Sequence, residues 1–174
     1  MKYSVKKAAN KDKQKIVSMI ENVGDSFVPK VRDRVDPGGY FTYLRGKNRK
    51  YLEEKYGNKI PSPKGAKMFT IKNKDELLGF ASYYKHFEPF DGAYFICIMV
   101  TPELQSNGLG KTLVQKVVDD AKKENITKMS VTTWSTNENS RRLFESNGFK
   151  LNKTVLNERA PGVHGLYLER YFSS

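Results

Sequence analysis

One cysteine, two histidines and one tryptophan are all that the 174 residues offer of those three types. With Cys97 alone no intramolecular disulfide can form, which agrees with a reducing compartment. His86 and His164 stand far apart in the chain and read as surface or turn residues, so no metal site is expected from them. Long hydrophobic runs are also missing. The longest, Ala93 to Val100, has eight residues, which suits a buried strand and falls well short of the ~20 that a transmembrane helix needs. The opening MKYSVKKAAN has positive charge with no apolar stretch behind it, so a secretory leader is not expected. These absences argue against a disulfide-stapled secreted domain and a helical membrane protein, and a cytoplasmic location is expected.

Acidic residues are scarce in the first part of the chain. Residues 1–75 hold 19 Lys and Arg against 8 Asp and Glu, whereas residues 76–174 hold 12 against 11. A basic face for an acidic substrate, a nucleic acid or a polyphosphate is one reading. The lysines are scattered, without interleaved aromatics, which favours an ordinary solvated face and disfavours nucleic acid.

What is present reads as one mixed α/β domain over residues 1–174. Tyr3 to Lys7 is a short strand, and residues 12–27 carry Ile16, Val17, Ile20, Val23 and Phe27 at helical spacing. Residues 28–67, broken by Pro29, Pro37, Pro61, Pro63 and several glycines, form a divergent excursion around one expected helix, Tyr40 to Tyr56. Met68–Lys72 and Leu77–Phe87 are strands joined through Asn73-Lys74-Asp75-Glu76. The buried strand Ala93–Val100 follows, then a helix from Gly110 to Asn125 with Leu113, Val114, Val117, Val118 and Ala121 in one stripe. Met129–Trp134 is a strand and Asn137–Asn147 a helix that Gly148 can cap. Phe149–Glu158 and Gly165–Phe172 close the chain as strands. The order is β-α-α-β-β-β-α-β-α-β-β.

Chemistry concentrates between Val100 and Lys111. A buried strand ends, a polar turn follows with Gly108 and Gly110 two apart, and an amphipathic helix begins at once. Glycines let the backbone approach a ligand closely. The first amides of the helix have no partner inside it, and they favour an anion by ~0.3–1 kcal/mol or more. This is a phosphate cradle, with Lys111 adding a formal charge. It is not a Walker loop, because position 105 is Gln, nor a dinucleotide fingerprint, because position 113 is Leu.

Gln105-x-x-Gly108-x-Gly110, entered from an apolar strand with Pro102 two residues after Val100, resembles the acetyl-CoA pyrophosphate loop of the GNAT superfamily of N-acetyltransferases. Asn137-Glu-Asn-Ser140-Arg-Arg-Leu143-Phe144-Glu-Ser-Asn-Gly148-Phe149 resembles the family's second helix, and Gly162-Val-His-Gly-Leu-Tyr-Leu-Glu-Arg its closing strand. The resemblance runs from about Met68 to Phe172. It implies a twisted mixed sheet of about seven strands flanked by four helices, in which two neighbouring strands splay to admit the pantetheine arm. It further implies acetyl transfer from acetyl-CoA to a primary amine by direct attack in a ternary complex, without metal. The backbone of Ile98, Met99 and Val100 is then expected to bond the pantetheine. Gln105, Ser106, Asn107, Gly108, Leu109, Gly110 and Lys111 are expected around the pyrophosphate, and Asn137 and Ser140 beside the cofactor.

The departures from the family concern proton transfer. Phe144 stands where many members have a tyrosine that protonates the leaving thiolate. The strand before the loop offers Tyr94, Ile96 and Ile98 on the face where others place a Glu or His, and Thr132 stands where still others have a Glu. Tyr94 is the one weak catalytic candidate. Cys97 reads as core packing. These losses motivate a second reading, a non-catalytic acyl-CoA-binding regulatory module. A nucleic-acid-binding protein is a third, resting on charge alone. The amine acceptor is unidentified at this stage, residues 28–67 and the last hairpin are expected to line its cleft, and a homodimer is left open.

Overall fold

The structure is a computed structural model that describes residues 2–33, 36–46 and 64–173. Seven strands form one sheet: β1 (Ser4–Lys7), β2 (Lys64–Asn73), β3 (Glu76–His86), β4 (Ala93–Val100), β5 (Lys128–Trp134), β6 (Lys150–Ala160) and β7 (Val163–Tyr171). Their spatial order is β1-β2-β3-β4-β5-β7-β6. Every neighbouring pair is antiparallel except β4 and β5. Four α-helices accompany the sheet among the described residues: α1 (Lys13–Val23), α2 (Pro37–Leu44), α3 (Leu109–Lys123) and α4 (Glu138–Ser146).

Two apolar clusters, one on each face, explain why β3 and β4 read as nearly unbroken apolar runs. Strands covered on both sides must be apolar on both sides. One cluster joins Leu113, Val114, Val117, Val118 and Ala121 of α3 and Phe144 of α4 to Phe69, Ala81, Phe95, Val131 and Leu168 of the sheet. The other joins Ile16, Met19, Ile20 and Val23 of α1 and Tyr40, Tyr43 and Leu44 of α2 to Met68, Phe80, Tyr84, Tyr94, Cys97 and Met99. Cys97 is a buried core residue, as its place in the apolar run suggests.

A polar clamp ties α3 to the sheet. Lys67 of β2 reaches Asp120 at 2.7 Å and Glu124 at 2.6 Å, Lys85 of β3 reaches Glu124 at 2.6 Å, and the Tyr83 hydroxyl donates to Asp120 at 2.6 Å. The hydrogen bonds from Lys67 and Lys85 hold the Glu124 carboxyl at about 2. For Asp120, burial pushes the carboxyl up, but the hydrogen bonds from Lys67 and Tyr83 outweigh it and the net direction is down.

The expected helix over Tyr40–Tyr56 is corrected. It starts earlier, because Asp36 accepts the Gly39 N–H at 2.9 Å as an N-cap and Pro37 occupies the first turn. It ends at Leu44. Gly46, at φ +68°, turns its N–H back onto the Tyr43 carbonyl at 2.8 Å and terminates the helix. The remainder of the expected helix, from residue 47 on, lies outside the described residues, as does nearly half of the basic excursion.

No helix among the described residues is long and apolar enough to cross a membrane.

Candidate functional site: the fork between the two parallel strands

The only parallel pair among the described strands is short. Ala93, Tyr94 and Phe95 of β4 pair with Met129, Ser130 and Val131 of β5, and the recorded register stops there. From Ile96 to Val100, β4 keeps β3 on one side through Ala81↔Ile98, Phe80↔Met99 and Gly79↔Val100. Its other edge faces a gap. The backbone groups of that edge are donors and acceptors that an extended ligand can satisfy as an added strand would. The parting of strands expected around Ile98, Met99 and Val100 is therefore present.

A bulge at the fork changes which side chains look into each half. Ser82 pairs with Cys97 and Tyr83 with Phe95, which leaves Ile96 as an extra residue in β4. Alternation slips by one there. Tyr94, Ile96, Cys97 and Met99 pack toward α1 and α2, and Phe95, Ile98 and Val100 toward α3 and α4. The expectation that Tyr94, Ile96 and Ile98 share a face is corrected: Ile98 is on the opposite one.

Below the fork lies the turn into α3. Ser106 and Gly108 take positive φ, +67° and +79°. The first bond of the α3 ladder recorded from the turn is the Thr112 N–H to the Gly108 carbonyl at 3.0 Å, so the amides of Leu109, Gly110 and Lys111 precede the ladder and are left for another acceptor. A side chain at Gly108 would meet nothing within 4 Å and would project into open space. Gly110 serves packing as well, since a Cβ there would stand 3.3 Å from Leu143 of α4.

Fork and turn open into one cleft of about 750 Å³. Of the residues expected at a cofactor, Ile98, Met99, Val100, Gln105, Ser106, Gly108, Gly110, Lys111, Asn137 and Ser140 line it. Asn107 and Leu109 do not, and the Leu109 side chain is core. The Asn137 side-chain oxygen accepts the Ser140 N–H at 3.3 Å, so it caps α4. Sequence reasoning missed most of the opposite wall, where Val23 ends α1, Ser26 and Phe27 follow, and the Phe27 ring meets Trp134 at 5.4 Å; Val28 is the one described residue of the expected 28–67 stretch that lines the cleft. Phe27 was visible as the last apolar position of that helix, but nothing in its spacing marked a cleft.

The cleft fits an elongated polar ligand on a further observation. Thr133 of β5 lines it, is 1% exposed, and its buried Oγ1 has no hydrogen-bond partner among the described residues. A buried hydroxyl left unmade costs ~1–3 kcal/mol, so a ligand acceptor there is favoured.

Candidate proton-transfer groups are few. Tyr94 is 4% exposed; its ring stacks on Phe90 at 4.2 Å and its hydroxyl shares a 2.8 Å hydrogen bond with Thr132. Phe144 is 1% exposed and wedged edge-on between Phe95 at 5.0 Å and Phe149 at 5.3 Å, while lining the cleft. His86 is exposed at the end of β3. His164 belongs to the last hairpin, where its Nδ1 accepts the Asn157 N–H at 3.0 Å. Neither histidine lines the cleft.

Comparison with known proteins agrees with this geometry. Ribosomal-protein-alanine N-acetyltransferase from Brucella melitensis superposes with a TM-score of 0.75 at 17% identity, covering 97% of this chain and 99% of that one. YncA from Salmonella typhimurium, solved with its cofactor acetyl-CoA, gives 0.74 at 18% identity over 99% and 95% of the two chains. PaiA N-acetyltransferase from Thermoplasma acidophilum, in complex with coenzyme A, gives 0.69 at 16% over 99% and 100%. These likenesses show the fold. No curated protein sequence matches the chain. Residues 35–149, well over half of it, match the family described as Acetyltransferase (GNAT) family. A sheet that parts at one parallel pair above a glycine turn is thus the frame of an acetyltransferase, and the chain belongs to the GNAT family.

Proposed function

We propose that this acetyltransferase moves an acetyl group from acetyl-CoA to a primary amine by direct attack while both are bound. The observation that carries the reading is the early end of the β4–β5 register above the turn at Ser106–Lys111. One cleft joins bare strand backbone to bare helix amides. In YncA of Salmonella typhimurium and PaiA of Thermoplasma acidophilum the bound molecules are acetyl-CoA and coenzyme A.

Acetyl-CoA supplies the activated thioester. The chain supplies position and dipoles. The amides of Leu109, Gly110 and Lys111, with the Lys111 side chain, hold the pyrophosphate, and with no arginine in this turn the load rests mainly on backbone. The Ile98–Val100 edge extends along the pantetheine, and an amide of Met99 or Val100 polarises the thioester carbonyl. Losing such a donor typically costs ~2.7–4 kcal/mol of barrier lowering. Asn137 fixes the start of α4 beside the cofactor, with Ser140 one turn on. Proximity does most of the work. Tyr94 and Thr132 share a hydroxyl pair next to the fork, suited to orienting the amine or a water.

A second reading, an acyl-CoA-binding regulatory module without turnover, is favoured by Phe144, whose ring has no proton to give. Thiol release settles between them. With acetyl-CoA and a panel of amines, steady release of free CoA supports transfer. Acetyl-CoA binding without release for any amine leaves the regulatory module, and no acetyl-CoA binding sinks both.

A further inference from the structure

Beside the fork, on the α1/α2 face, the last hairpin places a charge that neither the cofactor nor the packing of the core requires. Arg159, near the end of β6, reaches across β7 and donates from Nη2 to Thr132 Oγ1 at 3.2 Å. Thr132 is the residue after the last β4–β5 register position, it lines the cleft, and the same Oγ1 meets the Tyr94 hydroxyl at 2.8 Å. The Arg159 side chain is 15% exposed.

A guanidinium has five N–H donors in a planar fork and stays charged. Removing such a cation from water is costly unless its donors are matched. Here they are poorly matched. Nε is buried and has no hydrogen-bond partner among the described residues. The one carboxylate paired with it among the described residues, Glu158, stands 3.7 Å from Nε, beyond hydrogen-bond reach, and takes its hydrogen bond from the Tyr167 hydroxyl. The Glu158 Oε2 fills the place beside Gly165 that the Cβ of any other residue would take. The Phe90 and Tyr167 rings, 6.2 Å apart, add an apolar wall.

We propose that the acceptor is a small amine carrying a carboxylate, an α-amino acid or close analogue, and that Arg159 recognises that carboxylate. This rests on the acetyl-transfer reading, because it takes the fork as the place where the thioester meets the amine. Arg159 lies one side chain, Thr132, from the fork, and β4 and β5 start from a strand spacing of about 5 Å. Anion and attacking nitrogen must therefore be separated by few bonds. Thr132 holds one edge of the guanidinium, and re-aiming its remaining N–H groups toward the cleft presents a planar pair to a carboxylate. Glu158 beside it balances the charge, which suits a zwitterion better than a polyanion.

The test compares each free amino acid with its decarboxylated amine and with a dipeptide starting with the same residue, read as kcat/KM from thiol release. Wild type should prefer the free amino acid over the decarboxylated amine at least tenfold. Arg159→Gln should collapse that ratio by about ten- to a hundredfold, the range expected for losing one charge-assisted hydrogen-bonded contact. The acetyl-CoA thermal shift should be unchanged, and Arg159→Lys should recover part of the ratio. A merely structural arginine would lower both substrates together. Equal use of the matched pair by wild type, a preference for the dipeptide, or an unchanged ratio in Arg159→Gln overturns the proposal. Absence of an acetyl-CoA shift in wild type instead overturns the acetyl-transfer reading beneath it.

Discussion

The two faces of the sheet meet the same fork in different ways. On the α3/α4 face the site is mostly backbone: positive φ at Ser106 and Gly108, amides ahead of the helical ladder, and a strand edge without a neighbour. On the α1/α2 face it is mostly side chains: Phe27 against Trp134, Phe90 on Tyr94, and Arg159 on Thr132. Backbone recognition suits a cofactor common to many enzymes. Side-chain recognition suits the partner by which one enzyme differs from the next. If this division holds, substitutions on one face should change cofactor binding and those on the other should change the acceptor.

The largest effect should come from Gly108→Val. Its left-handed backbone disfavours a branched residue by about 1–2 kcal/mol, so the resting melting temperature should fall modestly. The side chain itself would project into open space, where the proposed pyrophosphate lies. At acetyl-CoA a hundredfold above Kd the wild type gains about 2.7 kcal/mol from binding, and the variant should lose that gain. Gly110→Ala should behave differently, keeping the acetyl-CoA shift and changing resting stability little, because the 3.3 Å approach of its Cβ to Leu143 opposes the ~1 kcal/mol that alanine gains over glycine in a helix. A full acetyl-CoA shift in Gly108→Val would break the comparison.

Next in size is Phe27→Ala, which removes one ring from the opposite wall. Aromatic pairs contribute ~0.5–1.5 kcal/mol beyond burial, so the acceptor KM should rise by up to about tenfold. The acetyl-CoA Kd should stay within about twofold. Parallel loss of both in steady-state and binding measurements would show that the faces do not divide the work.

Phe144→Tyr should have a smaller effect. The wild-type rate should rise with pH as the amine loses its proton and then level off, with no descending limb from a tyrosine near ~10. Adding a hydroxyl should raise turnover by roughly two- to fivefold, well short of the ~10² of a full general-acid contribution. Because Phe95 and Phe149 hold the ring edge-on, a hydroxyl without a partner would instead appear as a melting-temperature loss worth ~1–3 kcal/mol. A descending limb in wild type that vanishes in Tyr94→Phe would move the acid to Tyr94.

The smallest effect concerns the clamp behind α3, far from either substrate. Glu124 is held at about 2, below its ordinary 4.5, by Lys67 and then Lys85. A carboxyl lowered on folding stabilises above its unfolded value and ceases to do so as pH falls through its folded one. Thermal melts of wild type and Lys67→Met should therefore differ at neutral pH and converge between about 4.5 and 2. Curves that stay parallel across that window would leave the clamp without a role in stability.

The contrast between the faces also explains what could be read from the chain. The α3/α4 half was legible because backbone sites leave glycines and a cap at fixed spacing, as Gly108, Gly110 and Asn137 do. The order of all seven strands and four helices was legible for a similar reason, since apolar periodicity follows from which face is covered. The bulge at Ile96 was not legible. It needs one extra residue opposite β3, and an unbroken apolar run looks the same with or without it. The start of α2 differs from that of its apolar periodicity, which begins at Tyr40, because the Asp36 cap and Pro37 add a first turn that carries none of the periodic apolar side chains. Arg159 was invisible for a plainer reason: its partner Thr132 is 27 residues away, and only the β6–β7–β5 order brings them together.

Hydrogen exchange of the backbone amides, with and without coenzyme A, tests the central claim most directly, because the claim is about backbone. Slowed exchange is expected at 96–100 of β4 and at 106–111 of the turn into α3, with β1 and β2 unchanged. Protection confined to other segments, or none at saturating coenzyme A, would contradict it.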